Sequence, residues 1–413
     1  MPTPQPVLPG TPSHAGQRLA WLDALRGVGA IAVVLEHMLY RFLPGLRPYW
    51  MNLGIYGVMV FFLVSGYVIP ASLESRGDVR AFWLGRLFRL YPLYLLVIGV
   101  VLLCVPLVPL RRGLGLDPET AAAHATMLID MVWAAGFADT MWTLSYEMAF
   151  YLLVTALFVG GLHRRSGLWA VAFAVAALGT GLLLARPLTA YVPAALISLG
   201  VMAAGLALVI AGTGRVRAAG AVVVGGLAVV LVLAGGRAPW LGPAILAVMF
   251  TGTVLYRWER GQISHLWAVA GVVVPLSVVP FFAARAGWWA DPPVWHVTMA
   301  LAAATFALGM ACRRRAVPRA LVWLGLVSYS VYLLHHPLLK LFLALYGDPR
   351  REPLLLQAAL AVAYIAVVLG LSWLTYRVVE RPMQALGRRL ARSLPAPPQG
   401  TPSRRAVSAS NLG

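Results

Sequence analysis

Residues 21–40 read WLDALRGVGAIAVVLEHMLY. The run has the length of about 20 residues that a helix needs to cross the hydrocarbon core of a bilayer. It nevertheless holds Asp23, Arg26, Glu36 and His37. A charge at the centre of a span costs about 2.5–3.5 kcal/mol on insertion scales, so such residues call for a use. Asp23 and Arg26 are three apart, share a helix face and neutralise each other. His37 follows Arg26 by eleven residues, about three turns, which returns to nearly the same face about 16 Å further along. Gly27 leaves room beside this face for a ligand or a neighbouring helix. Glu36 is turned about 100° from His37 and is expected to pair within the bundle. A plainer account makes Asp23 and Arg26 interfacial anchors and His37 a satisfied core histidine.

The rest of the chain supports the membrane reading. Of 413 residues, 60% are hydrophobic and 11% charged, with a mean hydropathy of +0.79. A soluble domain has about 45–50% apolar and about 25% charged residues. This chain lacks the polar surface that would cover a core in water. The expected fold is all-α, a polytopic transmembrane helical bundle of about 10–12 spans. The net charge of +19 is scattered over short loops and the C-terminal tail. It forms no basic stripe or aromatic platform, which argues against nucleic acid. Cys104 and Cys312 fall in or beside apolar runs, where cysteine acts as a small hydrophobe. No cysteine and histidine spacing suits zinc, and no metal is expected. Asp23 and Arg26 interrupt the first apolar run, which is not expected to be a cleaved signal peptide.

Residues 1–16, rich in Pro, Gly, Ser and Thr, read as a disordered tail, as do residues 393–413. The transmembrane domain is expected over 17–392. Its twelve candidate spans are 20–41, 54–72, 90–110, 143–162, 167–186, 190–212, 217–236, 239–257, 264–284, 293–312, 319–345 and 355–378. Residues 111–141 are apolar only in their second half, and His124, Asp130 and Asp139 break it; they read as an interfacial segment. With the N-terminus inside, 22 of the 33 basic residues fall on the cytoplasmic side and 9 on the other. That bias predicts a multi-pass protein of the cell membrane with both termini cytoplasmic.

Several further stretches carry polar residues in a fixed order. They are GVMVFFLVSGYVI (57–69), FWLGRLFRLYPLYLL (82–96), WTLSYEMAFYLL (142–153), VSYSVYLLHHPLL (327–339) and Glu380-Arg381-Pro382. Together with Leu-Asp-Ala-Leu-Arg-Gly and its Arg-x10-His, these resemble the acyltransferase-3 family of integral membrane O-acyltransferases. The likeness covers residues 22–382. Ala24 stands where that family commonly has Gly. The WTLSYEM form is most similar to the exopolysaccharide branch. The resemblance implies acyl transfer, with acyl-CoA as the donor.

Acyl transfer to a hydroxyl needs a base for its proton and a donor for the developing oxyanion. His37 is the natural base, since its ordinary pKa lies near working pH, and the resemblance points to the same residue. Asp23 and Arg26 would support the donor or the geometry of the first span. Glu147, at the outer start of its own span, is placed to orient the imidazole, or else caps its helix. Arg86 and Arg89 share one face and suit donor phosphates, or serve as positive-inside anchors; Tyr91 belongs to the same family element. Trp142, Tyr329, Ser330, Tyr332 and His335 are candidates for the acceptor path, against the plain account of a polar seam between helices. The expected reaction moves an acyl group, acetyl above others, from acyl-CoA to a sugar hydroxyl of a glycan, exopolysaccharide or glycolipid. The expected partners are the lipid bilayer, acyl-CoA and a carbohydrate or glycoside acceptor. Acylation of a small secondary metabolite such as an antibiotic sugar is an alternative. A lipid-linked sugar transporter or flippase is the alternative from another class, and would show inverted repeats.

Overall fold

The computed structural model describes residues 19–104, 117–191, 193–277 and 286–394. Fourteen α-helices follow one another, with no strand among the described residues. They are α1 (Ala20–Phe42), α2 (Leu53–Arg76), α3 (Val79–Cys104), α4 (Pro118–Thr126) and α5 (Trp142–Val159). Next come α6 (Ser166–Leu183), α7 (Ala194–Ala211), α8 (Gly214–Ala234), α9 (Leu241–Glu259) and α10 (His265–Ser277). The last are α11 (Pro292–Ala311), α12 (Arg319–Tyr346), α13 (Leu354–Thr375) and α14 (Arg381–Ser393). Among the described residues, ten segments are long and apolar enough to cross a membrane by length and composition. The protein is a multi-pass helical membrane protein. α1, with 23 residues, falls within the lengths of these segments but carries Asp23, Arg26, Glu36 and Arg41.

Charge puts α1 in the middle of the bundle. It packs on α2 and α12 and also meets α11 and α13, so Asp23 and Glu36 are 2% and 6% exposed. Small residues allow the close crossings this needs. A Cβ on Gly325 of α12 would lie 1.9 Å from the Asp23 carbonyl oxygen, and one on Gly66 of α2 would lie 1.8 Å from the Met249 carbonyl oxygen of α9. At these two contacts only a residue without a side chain fits. Gly27 faces Leu324 and Leu321 of α12, so the room beside it is taken by a helix.

Three elements differ from the spans read in the sequence. α3 begins at Val79 rather than near 90, which puts Arg86 and Arg89 inside the helix. The last span runs on past 378 through a π-helical turn at Tyr376–Glu380 into α14. Residues 117–141 do not cross: α4 has nine residues, about 14 Å at 1.5 Å per residue. Nor do they lie on the surface, since Leu128 and Met131 are fully buried. Asp130 accepts from Arg237 at 2.7 Å and from the Tyr146 hydroxyl at 2.7 Å, and the Tyr94 hydroxyl meets His124 Nδ1 at 2.6 Å. Non-helical backbone is tolerated inside a membrane bundle when protein covers it in this way. The two tails expected at 1–16 and 393–413 fall outside the described residues, apart from the end of α14.

Candidate active site

The polar residues of α1 divide between two places. At its N-terminal end Arg26 Nη1 donates to Asp23 at 3.5 Å, the i,i+3 pair that the spacing predicts. Arg26 also faces a narrow cavity of about 70 Å³ between α1, α2, α3, α5 and α12. Arg86 and Arg89 of α3, Glu147 of α5, and Tyr329 and Tyr332 of α12 line the same cavity. Thr143, Ser65 and Ser328 complete its polar wall. Three guanidinium groups thus converge on one space that a single carboxylate lines. Arg86 lies over the rings of Phe82 and Tyr151, at 5.0 and 5.2 Å, an arrangement that holds a guanidinium without neutralising it.

The other place is around His37, near the far end of α1. His37 Nδ1 sits 2.9 Å from the Val33 carbonyl oxygen. A carbonyl only accepts, so Nδ1 carries the hydrogen and Nε2 keeps the lone pair. His335 repeats the arrangement, with Nδ1 2.9 Å from the Val331 oxygen. Its Nε2 then accepts, and it lies 3.4 Å from His37 Nδ1. The His336 ring packs edge-on to His37 with centroids 5.1 Å apart. Beyond it, Asp139 lies 3.5 Å from His336 Nε2 and 3.2 Å from Lys340 Nζ. The backbone contact thus leaves the lone pair of His37 on Nε2.

Tyr332 joins the two places. Its ring lines the arginine cavity, and its centroid is 6.0 Å from that of His335. Its hydroxyl donates to the Thr140 carbonyl at 3.0 Å and meets Thr143 Oγ1 at 2.8 Å.

Several expected residues stand elsewhere. Glu147 accepts a hydrogen bond from Tyr151, and no hydrogen bond joins it to His37 among the described residues. The expectation that it orients the imidazole is corrected to that extent: Val33, His335 and His336 are the groups found against His37. The cause is position on α5, which turns Glu147 toward Arg26 and Arg86. Ser330 donates to Glu380 and accepts from Thr375 at 3.0 Å, away from the cavity. The Tyr91 hydroxyl donates to the Ala125 carbonyl at 2.7 Å, and Trp142 packs edge-on to Tyr146. Neither lines the cavity. Glu36 does pair within the bundle, with Arg47 and the Leu53 amide. His336, Asp139 and Lys340 were missed in the sequence. The doubled His335-His336 was the available signal, but Asp139 reaches them only through tertiary packing.

A family model described as an acyltransferase domain, Acyl_transf_3, matches residues 19–377. The chain belongs to this family. It is a membrane acyltransferase. Acyltransferase MdmB of Streptomyces mycarofaciens is 28% identical over 389 residues, covering 90% of this chain and 93% of that protein. The O-acetyltransferase OatA of Staphylococcus aureus (strain NCTC 8325 / PS 47) is 29% identical over 169 residues, 37% of this chain and 26% of that protein. The putative peptidoglycan O-acetyltransferase YrhL of Bacillus subtilis (strain 168) is 26% identical over 159 residues, 34% of this chain and 24% of that protein. No solved structure gives a significant match.

Proposed function

We propose that this acyltransferase moves an acyl group, acetyl above others, from acyl-CoA to a sugar hydroxyl of a glycan, exopolysaccharide or glycolipid. The observation that carries the reading is the convergence of Arg26, Arg86 and Arg89 on one cavity lined by a single carboxylate. Guanidinium groups in that setting bind phosphate in bidentate fashion, and acyl-CoA brings phosphates together with a thioester. The cavity at about 70 Å³ has room for about two water molecules, so donor entry requires its side chains to part. The excess of Arg on one side supports a cell-membrane location with both termini cytoplasmic and the arginine cavity toward the cytoplasm. The relatives named O-acetyltransferases support the sugar acceptor.

His37 acts as the base through Nε2. The acceptor oxygen attacks the thioester carbonyl carbon while its proton passes to His37 Nε2. The carbon–sulfur bond then breaks, and the leaving thiolate recovers the proton from the imidazolium. The donor's phosphates stay with Arg86 and Arg89, and the thioester reaches past Tyr332 toward His335 and His37. Asp23 holds Arg26 in place by their ion pair.

The match to MdmB over nearly the whole of both chains favours a second acceptor class, a small glycoside. Mass spectrometry of surface glycans and of small glycosides, from cells with and without the gene, separates the two. The expected result is an acyl mass difference on one pool. Identical pools, together with no coenzyme A released by the purified protein given acetyl-CoA and either pool, would sink the reading.

A further inference from the structure

α2 divides two hollows. Ser65, Phe62 and Ile69 face the arginine cavity, whereas Leu63 faces a second space of about 770 Å³ between α9, α10 and α11. That volume is in the range of about 300–1,000 Å³ typical of ligand sites. One wall is Leu255, Val272 and Leu276; the other is Ala303, Ala307 and Ala311. The alanines recur every four residues, which cuts an apolar channel about 12 Å long down one face of α11. The helices on either side turn large apolar residues outward: Leu266 and Val273 of α10 are 76% and 53% exposed, and Leu308 of α11 is 65% exposed. The channel therefore lies among surfaces that meet lipid.

One end of the channel is charged. Glu259 and Arg313 line it there, with Arg313 Nε 2.7 Å from the carboxylate. The Tyr67 hydroxyl donates to the other oxygen of Glu259, so each oxygen of that carboxylate has a partner within the bundle. Arg313 Nη1 donates to the Met310 carbonyl at 2.7 Å, while Nη2 makes no hydrogen bond among the described residues. Arg260, Arg314 and Arg315 stand exposed beside this end. The ion pair cancels one positive charge, and the remaining arginines leave a cationic rim.

We propose that this hollow is a binding site for one anionic phospholipid, with an acyl chain along the alanine channel and its phosphate against Arg313 and the neighbouring arginines. The chemistry of both ends selects this occupant. A bilayer tail is the apolar chain available at a lipid-facing channel, and the cationic rim favours a headgroup with net negative charge. The site is independent of the acyl-transfer reaction and stands or falls apart from it.

The test is native mass spectrometry of the full-length protein, delipidated in detergent and titrated with dioleoylphosphatidylglycerol, dioleoylphosphatidylcholine or inorganic phosphate. The protein should retain one phosphatidylglycerol about tenfold more tightly than phosphatidylcholine, the scale of one charge-assisted contact. Ala307→Trp, which fills the channel, should lose that lipid; Ala304→Phe serves the same purpose if Ala307→Trp lowers the thermal midpoint. Arg313→Gln should bring the two lipids to nearly equal retention. Equal retention by the unsubstituted protein, or undiminished phosphatidylglycerol on a folded channel-filling variant, overturns the proposal. Displacement of the lipid by inorganic phosphate alone would make this an anion site and overturn it as well.

Discussion

The two ends of α1 solve the problem of polar residues in a membrane in opposite ways. Near Asp23 the groups are permanently charged, and the bundle answers charge with charge: Arg26 with Asp23, and Glu147 among Arg26, Arg86 and Arg89. Near His37 the groups are imidazoles held by carbonyl oxygens, His37 by Val33 and His335 by Val331. A carboxylate of that cluster, Asp139, is 38% exposed in its side chain and lies 3.5 Å from His336 Nε2. A binding site for anions needs fixed positive charge, whereas a base needs a lone pair that is not already protonated. On the proposed reading, one helix keeps apart the two tasks of holding the donor and moving the proton.

The largest effect expected from breaking this division is at His37. His37→Ala should lower transfer by about 10²–10⁴-fold, the usual contribution of a general base, with the thermal midpoint little changed. Transfer at near the original rate from a folded variant would remove His37 from the mechanism.

Next come the arginines. Arg89→Gln or Arg86→Gln should raise the KM for acyl-CoA by roughly ten- to a hundredfold, the worth of one charge-assisted hydrogen bond. kcat at saturating donor should change far less. Steady-state kinetics over a donor series decide this, and an unchanged KM would detach these residues from the donor.

Glu147→Gln discriminates between the two ends directly. Because Glu147 sits with the arginines and Tyr151, its loss should alter donor KM by several-fold. A fall in kcat that matched His37→Ala would instead return Glu147 to the imidazole. The smallest effect is at Asp139, partly open to solvent, where Asp139→Asn should change kcat by no more than a few-fold. A hundredfold loss there would show that the histidine cluster depends on a carboxylate after all.

Much of the fold was legible because bilayer thickness imposes a length on every span. Apolar runs mark α2, α5 to α9 and α11 to α13 within a few residues, and the i,i+3 pairing of Asp23 with Arg26 follows from helix geometry. The start of α3 was not legible, because Arg86 and Arg89 break the apolar pattern while pointing into a cavity. Residues 111–141 were read as an interfacial segment rather than a crossing, and in the described part, 117–141, the longest helix has nine residues. Their burial was hidden, since Asp130 is covered by Arg237 and Tyr146 from distant parts of the chain. Within the site, Arg86, Arg89, Tyr329 and Tyr332 share the cavity with Arg26, and His335 reaches His37. Ser330 has the same kind of position in its motif, yet the rotation of α12 turns it to Glu380.

By itself, then, the sequence determined most of the long helices, their order and the relative faces of polar residues within each, because 3.6 residues per turn relates positions within one helix. It also carried the family likeness from residue 22 to 382. Only the tertiary structure decided which faces meet. Glu147 and His37 were each placed correctly on their own helices, but the rotation of α5 and the glycine-fitted crossing of α1 on α12 set what each touches. Such contacts depend on how side chains of different helices pack against one another, and no period within a single helix records that.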